Sequence, residues 1–355
     1  MPHRLSLVRR LAELRRPYTA ETDSTLLPTA VHALSMLSAD ERTTVREILD
    51  HGHETRLFGE NTCPALDRRF RDALLPDTID PVQQQLEAGI LFALGQIAPY
   101  RWPDTDVVAP MPLCRMARPI PGSQEIILHL HSGVLAPMMA AVTPHVVNGV
   151  PHGLAGLCAV VQRRQVVLHL ADGGLSRRVA LAAVSDRHWA AALAFAQQVH
   201  GSVCSPVLHG AVTTPEQEVI HTGRVSGPVA LASALLRRLR ILGDTFWLTV
   251  RPDGPDGLCL DWAGGRCAAQ VAAALAHPLA GLAGDRFYVT WAAEGSVTII
   301  VTGLAGRPTA KLALRQAPLT ATPPFTRVDT SAALREFRRV LETPLRRSPR
   351  PELVA

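Results

Sequence analysis

The chain has 355 residues and a mass of 38.3 kDa, with 47% hydrophobic, 19% charged and 5% aromatic residues. That composition excludes a disordered tail, a collagen-like chain and a disulfide mini-protein, and the length suits two or three domains with packed cores. Net charge is +5, but it is uneven: residues 1–98 are net −3, 99–222 net +1, 223–325 net +4 and 326–355 net +3, so the basicity is C-terminal and argues for an acidic partner there.

Among the 36 basic residues, Lys311 is the only lysine, and asparagine occurs only at Asn61 and Asn148. Both amino acids have AT-rich codons, so the arginine excess reads first as the mark of a high-GC, bacterial genome and second as chemistry. The six cysteines stand without a C-x-x-C pair, which fits neither a zinc ribbon nor a redox motif and points to a reducing cytoplasm. Met1–Pro17 lacks the apolar run of a secretory signal. The most apolar stretch, Val134–Val161, is broken by Pro137, Pro144 and Pro151, so no membrane span is expected.

Taken in chain order, residues 1–98 read as a helical module. Leu7, Val8, Leu11 and Leu14 make one apolar stripe that Pro17 should end. Shorter helices are expected over 26–37 and 65–75. Ser38-Ala39-Asp40-Glu41 is a capping box ahead of Val45, Ile48 and Leu49. Asp80-Pro81 supplies an N-cap and a first-turn proline for a helix carrying Leu86, Ile90, Leu94 and Ile97. Residues 99–122 hold six prolines without a sustained period and read as a linker or surface strap.

From 123 to 222 the texture is α+β. The segment 125–131 is a strand, 157–161 and 166–170 form a hairpin, 178–184 adds a strand, and Ser185 caps a helix over 186–200. Residues 223–316 repeat that character in the order αββαββ: a helix from Ser226 to Gly243, strands at 246–250 and 258–262, a helix near 266–276, and a hairpin of 287–291 with 297–302. Residues 317–355 give a linker, a helix on Leu334, Phe337 and Leu341, and a tail. The fold class is therefore α+β: a helical N-terminal module followed by two small antiparallel sheet-plus-helix units. Ala190–Ala194 and Ala272–Ala276 have the same alanine-rich sequence and suggest that the two units are repeats, with coincidence as the competing explanation.

Chemistry has few handles. His129-Leu130-His131 sits on the first of these strands, where residues i and i+2 share a face, so two imidazoles could hold one divalent metal. With Pro121-Gly122 upstream, the passage resembles the first-strand motif of metal-dependent amidohydrolases. It departs from that motif at Ile127, where the family has aspartate, and in a longer gap from the glycine. The resemblance implies a metal-dependent hydrolase built on His129 and His131, with zinc as the candidate metal and His169 as the candidate third ligand; the competing reading is a polar stripe on a half-buried strand. His145, His152, His200 and His209 are further possible ligands, and His200-x3-Cys204-x4-His209 has metal-like spacing. A lone lysine after Ala310 excludes a Walker-type P-loop, and no G-x-S-x-G elbow is present.

The basic residues Arg237, Arg238 and Arg240 on one helix and Arg335, Arg338 and Arg339 on the last are candidates for contact with nucleic acid or another acidic partner. The order αββαββ followed by a helix is also similar to small secretion-chaperone-like domains, a likeness that implies binding of other chains through sheet and helix faces. The expected function is thus that of a cytoplasmic, non-catalytic binding or adaptor protein without a cofactor. It engages a macromolecular partner, protein or nucleic acid, through its basic C-terminal half. A zinc-dependent hydrolase is the alternative.

Overall fold

A computed structural model describes residues 6–50, 61–62, 68–97, 113–147, 150–201, 228–282, 286–302, 308–318 and 328–343. The fold is α+β. Among the described residues, five helices come first: α1 (Leu7–Thr19), α2 (Asp23–Ser35), α3 (Ala39–Asp50), α4 (Arg68–Leu74) and α5 (Pro81–Leu94), with the two-residue strand β1 (Asn61–Thr62) between α3 and α4. The local signals behave as their chemistry requires. Ser38 and Glu41 exchange backbone and side-chain hydrogen bonds at 2.8 and 3.3 Å, and Asp80 Oδ1 accepts from the N–H groups of Val82 and Gln83 at 3.0 and 3.1 Å. Helix α1 continues past Pro17 and stops only where Ala20 turns left-handed, because Tyr18 and Thr19 are buried and Tyr18 Oη donates to Ala274 O at 2.8 Å.

The next unit runs β2 (Cys114–Pro119), β3 (Ile126–Leu130), α6 (Leu135–Val142), a ribbon of β4 (His145–Val147) and β5 (Val150–His152), β6 (Leu157–Gln162), β7 (Gln165–Leu170), β8 (Val179–Ala182) and α7 (Asp186–His200). The last unit runs α8 (Val229–Leu236), a 3-10 turn (Leu239–Leu242), β9 (Thr245–Pro252), β10 (Gly257–Gly264), α9 (Ala268–Leu275), β11 (Arg286–Ala293), β12 (Ser296–Thr302), β13 (Pro308–Ala317) and α10 (Ser331–Glu342). Sheet order is β2-β3-β8-β7-β6 in the first unit and β9-β10-β13-β12-β11 in the second, with β1 added beyond β11. In both, the second strand of the leading hairpin pairs in parallel with the last strand, β3 with β8 and β10 with β13, while all other pairs are antiparallel. The sheets are therefore mixed, not purely antiparallel.

The two units share one topology, ββαβββα, with the β4–β5 ribbon as an insertion in the first. The equivalences differ from those that the alanine runs suggest. Ala190–Ala194 lies in α7, the closing helix of its unit, whereas Ala272–Ala276 belongs to α9 and its end, the middle helix of the other; α9 corresponds to α6, and α7 to α10. Like elements also pack on like: α5, which leads into the first sheet, lies against α8, which leads into the second, and α7 lies against α10.

Two strands escape the periodicity of the sequence. Strand β2 lies in the proline-bearing stretch read as a linker, and a register shift between Cys114 and Met116 scrambles its alternation. Strand β13 alternates buried Leu312 and Leu314 with exposed Lys311 and Arg315, but its interleaved alanines blunt the contrast. One apolar cluster joins the N-terminal helices to the inner faces of both sheets, through residues such as Leu26, Phe70, Ile90, Leu128, Leu168, Leu248 and Trp262.

Among the described residues, three guanidinium groups are buried within this core. Arg237, at the C-terminal end of α8, forks onto Glu87 of α5 through Nε to Oε2 at 2.8 Å and Nη2 to Oε1 at 2.6 Å, with both side chains at most 1% exposed. Ser233 Oγ and Gln83 Nε2 donate to the same carboxylate at 2.6 Å each, and Arg237 also donates to Pro76 O at 3.1 Å and Gln124 O at 2.9 Å. Arg238 binds Asp77 and donates from Nε to Ala280 O at 2.9 Å. Arg15 binds Glu21, Leu74 O and Pro119 O; its burial pulls its pKa below the usual arginine value, against the pull of Glu21. All three thus converge on residues 74–77, the connection between α4 and α5.

Glu87→Ala leaves the Arg237 guanidinium buried without its counter-charge. The expected loss is about 3–5 kcal/mol, read as a lower urea midpoint with an unchanged slope.

Candidate functional site

The geometry first revises the sites expected from sequence. Arg237 and Arg238 are fully buried and bonded to Glu87, Asp77 and backbone carbonyls, so they are internal staples and present nothing to a phosphate. They end α8 early, and the helix expected to reach Gly243 continues only as a 3-10 turn. Arg240 is mostly covered, donating to Cys114 O at 3.1 Å and to Asp244 at 3.3 Å. On α10, Arg335, Arg338 and Arg339 are exposed while Ala333, Leu334 and Phe337 face inward, and Arg339 pairs with Glu336 at 2.6 Å.

The histidines of the expected metal set do not converge. His129 and His169 both point to the outer face of the first sheet, opposite the core-facing Leu128 and Leu168. The registers of β7 with β8 and of β8 with β3 put His169 in the row of Glu125, four residues from His129 and two strands away. That separates their Cα atoms by roughly 16 Å, beyond what two imidazoles can span around one ion. His131 lies past the end of β3, where strand alternation no longer aims it, and its Nδ1 accepts the Gly133 N–H at 3.4 Å. Among the described residues no group of three or more His, Cys, Asp or Glu side chains is placed to hold a metal. Burial and the nearby Arg118 charge lower the His129 pKa.

The histidines that do meet are His145, His152 and His200, and they meet as stacked rings. His209 and Cys204 lie outside the described residues. Cys114, Cys259 and Cys267 are free thiols, and burial pushes the Cys114 thiol up to about 12, which leaves it inert as a nucleophile.

The outer face of the second sheet carries the most distinctive surface. Leu258, Leu260 and Trp262 of β10 face the core, so Cys259 and Asp261 face outward, and the strand registers align Arg251, Cys259, Ala313, Thr298 and Trp291 in one row. The adjacent row holds Thr249, Asp261, Arg315, Ser296 and Ala293. At the middle of the face the small side chains of Cys259 and Ala313 are almost fully covered, and the exposed Lys311 and Arg315 of the central strand stand on either side of Ala313. Trp291 stands at one side, and a small separate cluster of buried Trp247 and Ala263 with Phe246 and Ala317 forms one corner.

Trp291 reaches this face because of a β-bulge. Val289 packs on the core, and two-residue alternation would send Trp291 there as well. The register shift between Val289 and Trp291 leaves Thr290 as an extra residue and pairs Trp291 with outward-facing Thr298. The indole is consequently 55% exposed, an unusual position for the largest apolar side chain.

Charge completes the face. Arg251 donates to Asp261 at 3.1 Å, an arrangement that raises the Arg251 pKa mainly through the carboxylate charge. Lys311 pairs with Asp253 at 2.9 Å and holds that carboxyl below the usual range. Arg315 is exposed between the Asp261 and Ser296 positions. Sequence reasoning places the hairpin but not this face, since neither the bulge nor the inclusion of β13 has a local signature.

No family model matches the chain, and neither do any of the curated proteins or solved structures. Among the described residues, no helix is long and apolar enough to cross a membrane.

The buried and exposed arginines should separate cleanly by mutation. Replacing Arg335, Arg338 and Arg339 together by alanine is expected to change stability by about 1 kcal/mol or less. Arg237→Ala strands the fully buried Glu87 and should cost about 3 kcal/mol or more, the two effects being compared in parallel denaturant melts.

Proposed function

We propose that this chain is a non-catalytic binding or adaptor protein that engages an acidic protein partner through the outer face of its second sheet. The observation that carries the reading is the bulge that turns Trp291 out of the core. Folding alone favours the buried position, since burying an aromatic of this size stabilises by about 1.5–3 kcal/mol. An exposed tryptophan on a sheet face that also carries exposed arginines has the chemistry of an interface anchor, because Trp and Arg dominate the energetics of protein–protein contacts. Arg315 and Lys311, two strands from Trp291, and Arg251, four strands away, supply cations on the same face, and two of the three already share their charge with Asp261 and Asp253. The surface is thus tuned for a partner with a few carboxylates around an apolar segment rather than for a continuous phosphate backbone. The free cysteines support a reducing, cytoplasmic setting, and the arginine-for-lysine usage supports a high-GC bacterial source.

The test compares the wild type with Trp291→Ala and Arg315→Glu. Partners retained from native extract by the wild type are identified, purified and titrated against all three proteins. Trp291→Ala should weaken binding at least tenfold and Arg315→Glu should weaken it further at low salt, with melting midpoints within a few degrees of wild type. Equal affinity across the three proteins overturns the reading. Tight binding of a 20-nucleotide single strand that collapses between about 50 and 200 mM salt would replace the protein partner with nucleic acid.

A further inference from the structure

Residues 143–154 form an excursion between α6 and β6. Its two short strands, β4 and β5, form a sheet of their own, with His145 opposite His152, Val146 opposite Pro151 and Val147 opposite Val150. Residues directly opposite each other on an antiparallel pair send their side chains to the same face, with Cβ atoms roughly 4.5–5.5 Å apart. The base of the excursion is cinched. Leu154 N–H donates to Val142 O at 2.8 Å, and Gly153, at φ +82°, lies so close to the Thr143 carbonyl that a Cβ there would sit 2.3 Å from its oxygen. Only glycine fits that crossing. The His145 and His152 imidazoles are therefore held as neighbours beside the cinched base.

One of the two rings is fixed and the other adjustable. His145 is 7% exposed, and its ring lies on the His200 ring with centroids 3.6 Å apart and planes 19° apart. A carbonyl can only accept, so His145 donates from Nδ1 to Thr143 O at 2.8 Å. A neutral imidazole with its proton on Nδ1 carries its lone pair on Nε2. One ring N–H given to a backbone carbonyl, with the opposite nitrogen unprotonated, is the arrangement that metal-binding histidines adopt. His152 is exposed, and the broad second torsion of a histidine side chain lets its ring turn to meet a shared ion.

We propose that His145 and His152 together bind a divalent transition-metal ion of the imidazole-favouring class, represented by Zn²⁺, which ties β4 to β5. Separation is the deciding quantity. With metal–nitrogen bonds of about 2.0–2.1 Å and a ring centre about 1.1–1.2 Å beyond each nitrogen, two imidazoles on one ion have centroids roughly 5.2 Å apart at the tetrahedral angle and roughly 5.5 Å apart at a trigonal one. The His145 and His152 centroids are 5.6 Å apart, with planes 20° apart. The 3.6 Å between His145 and His200 is too short for two ligands of one ion, so His200 backs the ring of the first ligand instead of joining the site.

The donor set defines the ion. Imidazole nitrogen suits zinc, copper and nickel, whereas magnesium and calcium seek oxygen. Two imidazoles are fewer than the three or four protein ligands of catalytic and structural zinc sites, so the ion binds reversibly and the site responds to its concentration. The site lies in the first unit and is separate from the Trp291 face of the second.

Titration of Zn²⁺ into the tag-free, metal-stripped full chain tests this, read by calorimetry and by the ring NMR signals of the histidines. The His145 and His152 signals should titrate together, and ions taken up by other histidines register at other signals. A roughly hundredfold excess of Mg²⁺ should not displace the ion. His152→Ala removes an exposed ligand, should leave the melting midpoint within a few degrees, and should weaken this binding event at least tenfold. Hydrogen exchange gives a second readout: saturating Zn²⁺ should raise the protection of β4–β5 amides at least tenfold in the wild type and leave it unchanged in His152→Ala, with β7–β8 level in both. The proposal is overturned if the two ring signals do not move at about 1 mM Zn²⁺, if His152→Ala binds with wild-type affinity, or if Mg²⁺ displaces the ion. The wild-type ring titration decides by itself should the variant not fold.

Discussion

The pairing of Glu87 with Arg237 is the constraint on which the rest of the architecture hangs. It joins α5 to α8, the two helices that lead into the two sheets, and both charges lie fully inside the core. A buried ion pair is weak evidence for stability as such, since desolvation offsets most of the attraction. Its consequence is geometric. The carboxylate takes a two-pronged bond from Arg237 and further bonds from Ser233 and Gln83, so only one rotation and one register of α5 against α8 satisfies it. The remaining guanidinium bonds reach Pro76 O and Gln124 O, extending the same restraint to the connection before α5 and the turn before β3.

Arg15 and Arg238 act in the same region, on Leu74 O and Asp77. Guanidinium suits this use because its planar fork donates several bonds in fixed directions without giving up its proton. Part of the arginine content of this chain is therefore internal carpentry between helices, and the basic surface is smaller than a count of residues after 223 implies.

With the leading helices locked, the two ββαβββα units are held with like helices together, α5 on α8 and α7 on α10. Both sheets turn their apolar sides to one continuous core, and their other faces are left to differ. The first sheet has Ile127, Ala180 and Val167 near the middle of its outer face; the second has small residues, paired charges and the bulge-displaced Trp291. The first unit alone carries the ribbon with its stacked histidines. Divergence between the units is thus concentrated at an insertion and on one sheet face, while the shared topology is kept by the core.

The sequence by itself determined whatever rests on neighbours a few residues apart. Ser38 with Glu41, Asp80 with Pro81, Ser185 before α7, and the hairpins through Arg163-Arg164 and Glu294-Gly295 all act within one turn, so the α+β class and most helices and hairpins were legible. Tertiary structure decided everything that depends on which distant segment lies alongside. Lys311–Arg315 becomes a central strand only because β10 runs parallel to it, and Arg237 turns inward only because Glu87, 150 residues earlier, waits for it. His129 and His169 share a face but not a site because they lie two strands and four residues apart, whereas His145 and His200 stack where α6 and α7 pack together. The exposure of Trp291 hinges on a single extra residue in one strand, a change that leaves no trace in composition or period and yet reverses which side of the sheet an indole occupies.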